Sequence, residues 1–180
     1  MTVHTTITAE QLLTMGDIGR CELVDGEIIK MAPAGAQHGN YSNQFAWRIT
    51  SHVIANDLGI VYGAETGFII ARNPDTVRAP DVAFIRKTRV PTEEVPGFFP
   101  GPPDMLVEVV SPDDRRSEVV AKARQWVASG AASVWIVDPR TRTVEVHRAN
   151  SPPVLFQRGD TITDEPTLPG FVLKLSDVFG

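Results

Sequence analysis

The chain has 180 residues, enough for one domain with a substantial core. Hydrophobic residues make up 42%, which excludes a disordered chain. The formal charge of −5 excludes a protein that coats nucleic acid indiscriminately, while leaving room for a local basic groove.

Cys21 is the sole cysteine, so an intrachain disulfide is excluded and a cytoplasmic setting is expected. No apolar run is long enough to span a membrane, and residues 1–6 lack the basic and apolar segments of a signal peptide. Residues 8–13 predict a short helix, with Thr8 as N-cap and Gln11 completing a capping box. Residues 21–30 predict two strands around an Asp25-Gly26 turn. After a loop at 33–35, residues 38–58 predict a helix with Phe45, Ile49, His52 and Val53 close to helical spacing, stopped by Gly59. Strands are then predicted at 60–62 leading to 65–70, at 77–85 and at 104–110. The loop at 91–103 carries five prolines and two glycines, a length typical of functional or mobile segments. Ser111-Pro112-Asp113-Asp114 predicts a cap for a second helix over 114–129, ended by Gly130. Residues 133–137 and 143–148 predict a hairpin, and 154–157 with 171–173 a closing strand pair. The pattern predicts one α/β (α+β) domain over 1–180, a mixed sheet flanked by helices with extra β-hairpins.

Two carboxylates stand inside apolar strand-like runs: Asp81 in Ala79-Pro80-Asp81-Val82-Ala83-Phe84-Ile85, and Glu108 in Met105-Leu106-Val107-Glu108-Val109-Val110. A buried carboxylate is costly unless a cation or hydrogen bonds compensate it. Alternation along a strand puts Asp81 on a face with Ala83 and Ile85, and Glu108 on one with Leu106 and Val110, so neighbouring strands let the two converge. Two carboxylates suit a hard cation that keeps several waters. Such an ion polarises a phosphodiester and its attacking water. Lys122 flanks the buried stripe Val119, Val120, Ala123, Trp126 and Val127; it reaches over the sheet, or it pairs with Glu118 on a solvated face. The competing reading for each acid alone is a strand-end carboxylate in solvent.

In order along the chain stand Glu22-Leu23-Val24-Asp25-Gly26-Glu27, His38-Gly39, Arg78-Ala79-Pro80-Asp81-Val82, Glu108-Val109-Val110-Ser111-Pro112, Lys122 and Trp135-Ile136-Val137-Asp138-Pro139. This series resembles the Uma2-type (DUF820) family of restriction-endonuclease-like proteins, over nearly the whole chain. The resemblance implies the PD-(D/E)xK nuclease fold, with a central mixed sheet of about four to six strands. It implies Asp81 and Glu108 as ligands of Mg²⁺ or Mn²⁺, Lys122 as the catalytic lysine, DNA as substrate and a homodimer as the assembly. The wider superfamily keeps its lysine two residues after the second acid, where this chain has Val110. Trp126 stands where the family tends to have Tyr, and Ser133-Val134 where it tends to have Glu-Tyr.

Weaker candidates are Glu22, like the superfamily's first acidic motif or else a structural ion-pair partner; Glu65, facing the same site as a further metal ligand; and His38, contacting substrate or transferring a proton. His52 is expected in the core, His4 and His147 at the surface, and Asp138 in a turn. Arg86, Lys87 and Arg89, together with Arg115 and Arg116, are expected beside the site as phosphate contacts, with Arg140, Arg142 and Arg148 solvated. The expected function is a metal-dependent DNA endonuclease. Its rivals are a nucleic-acid-binding module of little catalytic power and a metal-dependent hydrolase of another phosphoester.

Overall fold

The computed structural model describes residues 6–180; His4 lies outside them. The first helix, α1 (Ala9–Thr14), has the capping box expected: the Gln11 amide donates to Thr8 Oγ1 and the Thr8 amide to Gln11 Oε1. Strands β1 (Cys21–Val24) and β2 (Glu27–Lys30) form the expected hairpin, with Asp25 and Gly26 both at positive φ (51° and 78°). Helix α2 (Ala36–Ala55) begins two residues before the expected start and buries Phe45, Ile49 and Val53. Then come β3 (Gly59–Gly63), β4 (Phe68–Ala71), β5 (Thr76–Arg78) and β6 (Val82–Arg86). They are followed by β7 (Phe99–Pro100), β8 (Met105–Val109), α3 (Arg116–Ser129), β9 (Ser133–Asp138) and β10 (Thr143–His147). The remainder is β11 (Val154–Gln157), β12 (Thr161–Ile162), β13 (Leu173–Lys174) and α4 (Ser176–Phe179).

Two mixed sheets carry the fold. The six-stranded sheet has the order β11-β10-β9-β8-β6-β3, with β8 parallel to β9 and antiparallel to β6. The five-stranded sheet has the order β2-β1-β5-β4-β7. The strand expected over 77–85 is divided between them: β5 belongs to the smaller sheet and β6 to the larger. Pro80 explains the break, since it has no N–H to donate to a ladder and it biases Ala79 away from helical geometry.

Other boundaries shift for local reasons. Asp114 does not cap α3: its carboxylate accepts the Ser111 amide at 2.7 Å, closing a turn, and the helix starts at Arg116. Gly130 ends α3 as expected, in the left-handed region at φ 111°. Residues 154–157 extend β10 at the sheet edge rather than pairing with 171–173; Leu173–Lys174 pairs with Thr161–Ile162.

The main core lies between α2 and one face of the large sheet, where Val82, Phe84, Val107, Val109, Trp135 and Val137 meet Phe45 and Ile49. Later residues complete it, including Ile162, Leu168, Phe171, Leu175 and Phe179. The opposite face (Ala83, Ile85, Leu106, Val134, Ile136) packs on Ala123 and Trp126 of α3 and on Phe68 and Phe99 of the smaller sheet. A third cluster joins α1 to the smaller sheet through Ala9, Leu12, Leu23 and Val77. Among the described residues no helix is long and apolar enough to cross a membrane.

Candidate active site

The site forms where the two sheets part. In the large sheet Val82 is registered against Val107, and counting back one residue sets Asp81 across from Glu108. Asp81 therefore lies just outside the ladder, in the break made by Pro80, rather than within a strand. It is buried, and its Oδ2 accepts the Val109 amide at 2.8 Å. That oxygen also lies 3.3 Å from His38 Nε2, which reaches it from the first turns of α2. The hydrogen bond to Asp81 pushes the His38 imidazole pKa up, against burial and the nearby Arg20 charge.

Glu108 shares the α3-facing side of β8 with Leu106 and Val110, as alternation predicts. Lys122 Nζ lies 2.9 Å from Glu108 Oε1, and Trp126 Nε1 donates to the same oxygen at 2.9 Å. The lysine therefore turns inward. Glu118, its alternative partner by helical spacing, faces Arg115 at 3.8 Å instead. Lys122 and Trp126 are one turn apart on α3, so a single helix face supplies both donors. Trp126 thus provides Glu108 with a hydrogen bond of its own.

Glu22 is also brought in. It is 4% exposed on β1, and its Oε1 lies 3.3 Å from Lys122 Nζ and accepts the Ala79 amide at 3.1 Å. Its Oε2 accepts Arg78 Nη1 at 2.7 Å. Arg78 Nε and Nη2 both donate to Gln125 Oε1, at 2.9 and 2.7 Å. Gln125 is not marked by the sequence, and Arg78 is marked only as the first residue of the series ending in Val82, without a role. The three-residue step from Lys122 to Gln125 was the available signal.

Charge follows geometry. Burial pushes the Glu108 carboxyl pKa up; the Lys122 ammonium opposes this, and the Asp81 and Glu22 charges add to it. Burial pushes Lys122 down, but Glu108 and Glu22 outweigh it and hold the amine protonated. Burial also pushes Glu22 up, and there Lys122, Arg78 and the Ala79 amide win, leaving it below the usual carboxylate range.

The other expected residues lie elsewhere. Glu65 sits in a turn at φ 70°, before β4 begins at Phe68, with its side chain 72% exposed and 3.9 Å from Arg20. It does not face Asp81 and Glu108, because the strand expected through it starts three residues later. Arg86 and Arg89 pair with Asp104, and Lys87 with Asp57, at the far end of β6, roughly 17 Å from Asp81 at strand rise. Arg116 pairs with Glu145 on β10. His147 is buried at 5%, not surface, because its strand is covered on both faces; its Nε2 lies 2.6 Å from Glu145 Oε1 without hydrogen-bond alignment. His52 is half-buried, its Nε2 3.0 Å from the Pro169 carbonyl and its ring edge-on to Phe171. Asp138 takes the Arg140 amide at 2.9 Å in the expected turn. Sequence reading missed Glu165, a buried loop carboxylate that accepts Ser133 Oγ at 2.7 Å, Trp135 Nε1 at 2.9 Å and Thr167 Oγ1 at 2.7 Å. An acid in a Pro-rich loop carries no periodicity to betray its burial.

The donor set fits a water-rich hard cation. Among the described residues no three His, Cys, Asp or Glu side chains form a ready metal cage. One or two carboxylates suffice for Mg²⁺, which retains waters and shares phosphate oxygens. Glu108, raised by burial and by neighbouring carboxylates, is a group that a divalent charge would return to the ionised form.

Residues 9–176 match the model of the Uma2 family, described as "Putative restriction endonuclease". A crystal structure of "a putative nuclease belonging to DUF820" from Anabaena variabilis ATCC 29413 superposes with a TM-score of 0.84 at 22% identity, covering 96% of this chain and 97% of that one. At that identity the likeness establishes the shared mixed α/β fold. No curated protein matches the chain.

Proposed function

Since the chain belongs to the Uma2 family, we propose that it is a Mg²⁺- or Mn²⁺-dependent endonuclease hydrolysing DNA phosphodiester bonds. The observation that carries this reading is the placement of Asp81 across from Glu108, with the Lys122 ammonium 2.9 Å from the latter. Asp81 and Glu108 would hold the ion, which supplies Lewis acidity beside the scissile phosphate. Lys122 adds a fixed positive charge where negative charge builds on the phosphoryl oxygens. Trp126 holds Glu108 in place. His38, 3.3 Å from Asp81, orients that carboxylate and can pass a proton at Nε2. A homodimer would set two such sites against two strands.

Supercoiled plasmid with Mn²⁺ tests the reading. Wild type is expected to nick it, while Asp81→Asn and Glu108→Gln lower the rate by at least about a hundredfold, in the range typical of lost electrostatic stabilisation. Calorimetric Mn²⁺ binding should weaken in the same variants. Equal nicking by wild type and both variants would overturn the assignment.

A further inference from the structure

Three side chains close a ring with the candidate lysine. Lys122 Nζ contacts Glu22 Oε1 at 3.3 Å, and Glu22 Oε2 accepts Arg78 Nη1 at 2.7 Å. The other edge of that guanidinium grips Gln125 Oε1 through Nε and Nη2 at 2.9 and 2.7 Å. Gln125 returns to Lys122 through one turn of α3. The ring joins β1, β5 and α3, and so ties the smaller sheet to the helix that stands over the larger one.

We propose that Arg78 and Gln125 are positioning residues that hold Glu22, and through it fix the Lys122 ammonium between two carboxylates; as a statement about catalysis, this rests on the nuclease reading. Arg78 is poorly placed to grip a substrate phosphate itself. Its side chain is only 16% exposed, and both edges of its fork are already engaged. Gln125 has a specific part, since one acceptor taking two N–H groups sets the plane of the guanidinium. With that plane set, the remaining arm meets Glu22 Oε2. Glu22 Oε1 is meanwhile held by the Ala79 amide, only two residues before Asp81. The carboxylate is thereby referenced to the same backbone that carries the first acid. Without the ring, Lys122 would keep Glu108 as a partner but lose the second anchor that centres it.

The test reads how firmly the lysine is held, through its release as an accessible nucleophile, and needs no cleavage. Metal-free full-length protein is acylated by a neutral amine-reactive ester at one fixed pH, and modification of the Lys122 peptide is followed by mass spectrometry. Gln125→Met, which removes the acceptor at similar size, is expected to raise the rate at Lys122 at least about threefold, and Arg78→Lys more. Gln125→Glu keeps the acceptor and should label like wild type. Circular dichroism and the melting temperature establish that each variant is folded, and Gln125→Met keeps the test valid if Arg78→Lys is not. Wild-type labelling in folded Gln125→Met would overturn the proposal, whatever the plasmid assay gives. Conversely, labelling that shifts as expected in a protein that does not nick DNA leaves the ring standing and removes the nuclease reading. If both hold, Gln125→Met lowers kcat for nicking with KM nearly unchanged.

Discussion

Glu22 bears on two cations at once, and its behaviour with pH follows from that. Its folded pKa lies below the usual carboxylate value because Lys122, Arg78 and the Ala79 amide together outweigh burial. A depressed carboxyl stabilises the fold above its unfolded pKa of about 4.3, and that contribution fades as pH falls through the lower folded value. Glu22→Gln is therefore expected to cost about 1–3 kcal/mol at neutral pH, with the gap to wild type closing in acid. Urea unfolding of both proteins at several pH values measures this, and a gap that stays constant down to acid contradicts it. His38 runs the other way. Its folded pKa is raised, first by the hydrogen bond to Asp81, so its contribution is complete below about pH 6.5 and is lost as pH rises through the folded value. The stability difference between wild type and His38→Ala should accordingly shrink toward alkaline pH.

Elements obey the sequence wherever periodicity and punctuation agree, and depart from it where a second sheet competes. The capping box at Thr8, the Asp25-Gly26 hairpin and the Gly130 helix stop are local signals, and all three appear. That the runs holding Asp81 and Glu108 are neighbours was legible from their strand-like patterns, although Asp81 itself stands outside the ladder; Lys122 was legible only as one of two readings, at the flank of an apolar stripe or paired with Glu118. The division of 77–85 was not legible, although Pro80 marked it, because nothing local says that two sheets exist for the halves to join. The role of Arg78 was hidden for the same reason: its partners lie 56 and 47 positions away. A further prediction concerns the α2–β3 junction. A Cβ on Gly59 would sit 2.0 Å from the Ile85 carbonyl oxygen and 2.8 Å from the Lys87 amide, both backbone atoms of the paired strand or the turn after it. Gly59→Ala should therefore destabilise by about 2 kcal/mol or more, read as a lowered urea midpoint. An unchanged midpoint would mean that β3 and β6 can separate at no cost.

For the whole molecule, ion pairs occupy a large part of the positive charge that could meet phosphate, beyond what the net charge of −5 shows. Arg72, Arg78, Arg86, Lys87, Arg89, Arg116 and Lys122 each face a carboxylate. Metal-free binding to duplex DNA should thus be weak, with log K falling against log salt at a slope of only about −2 to −3. Fluorescence anisotropy from low to physiological salt tests this, and a slope steeper than about −6 would reveal a basic surface that the ion pairs do not account for. At this scale the segment from Ile162 to Phe179 also matters to how the protein comes into being. Phe171 lies against Trp135, and Phe179 lies against Tyr41 and Phe45 of α2, so late residues form a wall of the core that the early helix requires. During synthesis at about 5–20 residues per second, α2 emerges many seconds before that wall exists. Part of its apolar face stays open to solvent and to chaperones until then, although the strands from Val82 to Val137 can cover the rest, so this core closes in two stages.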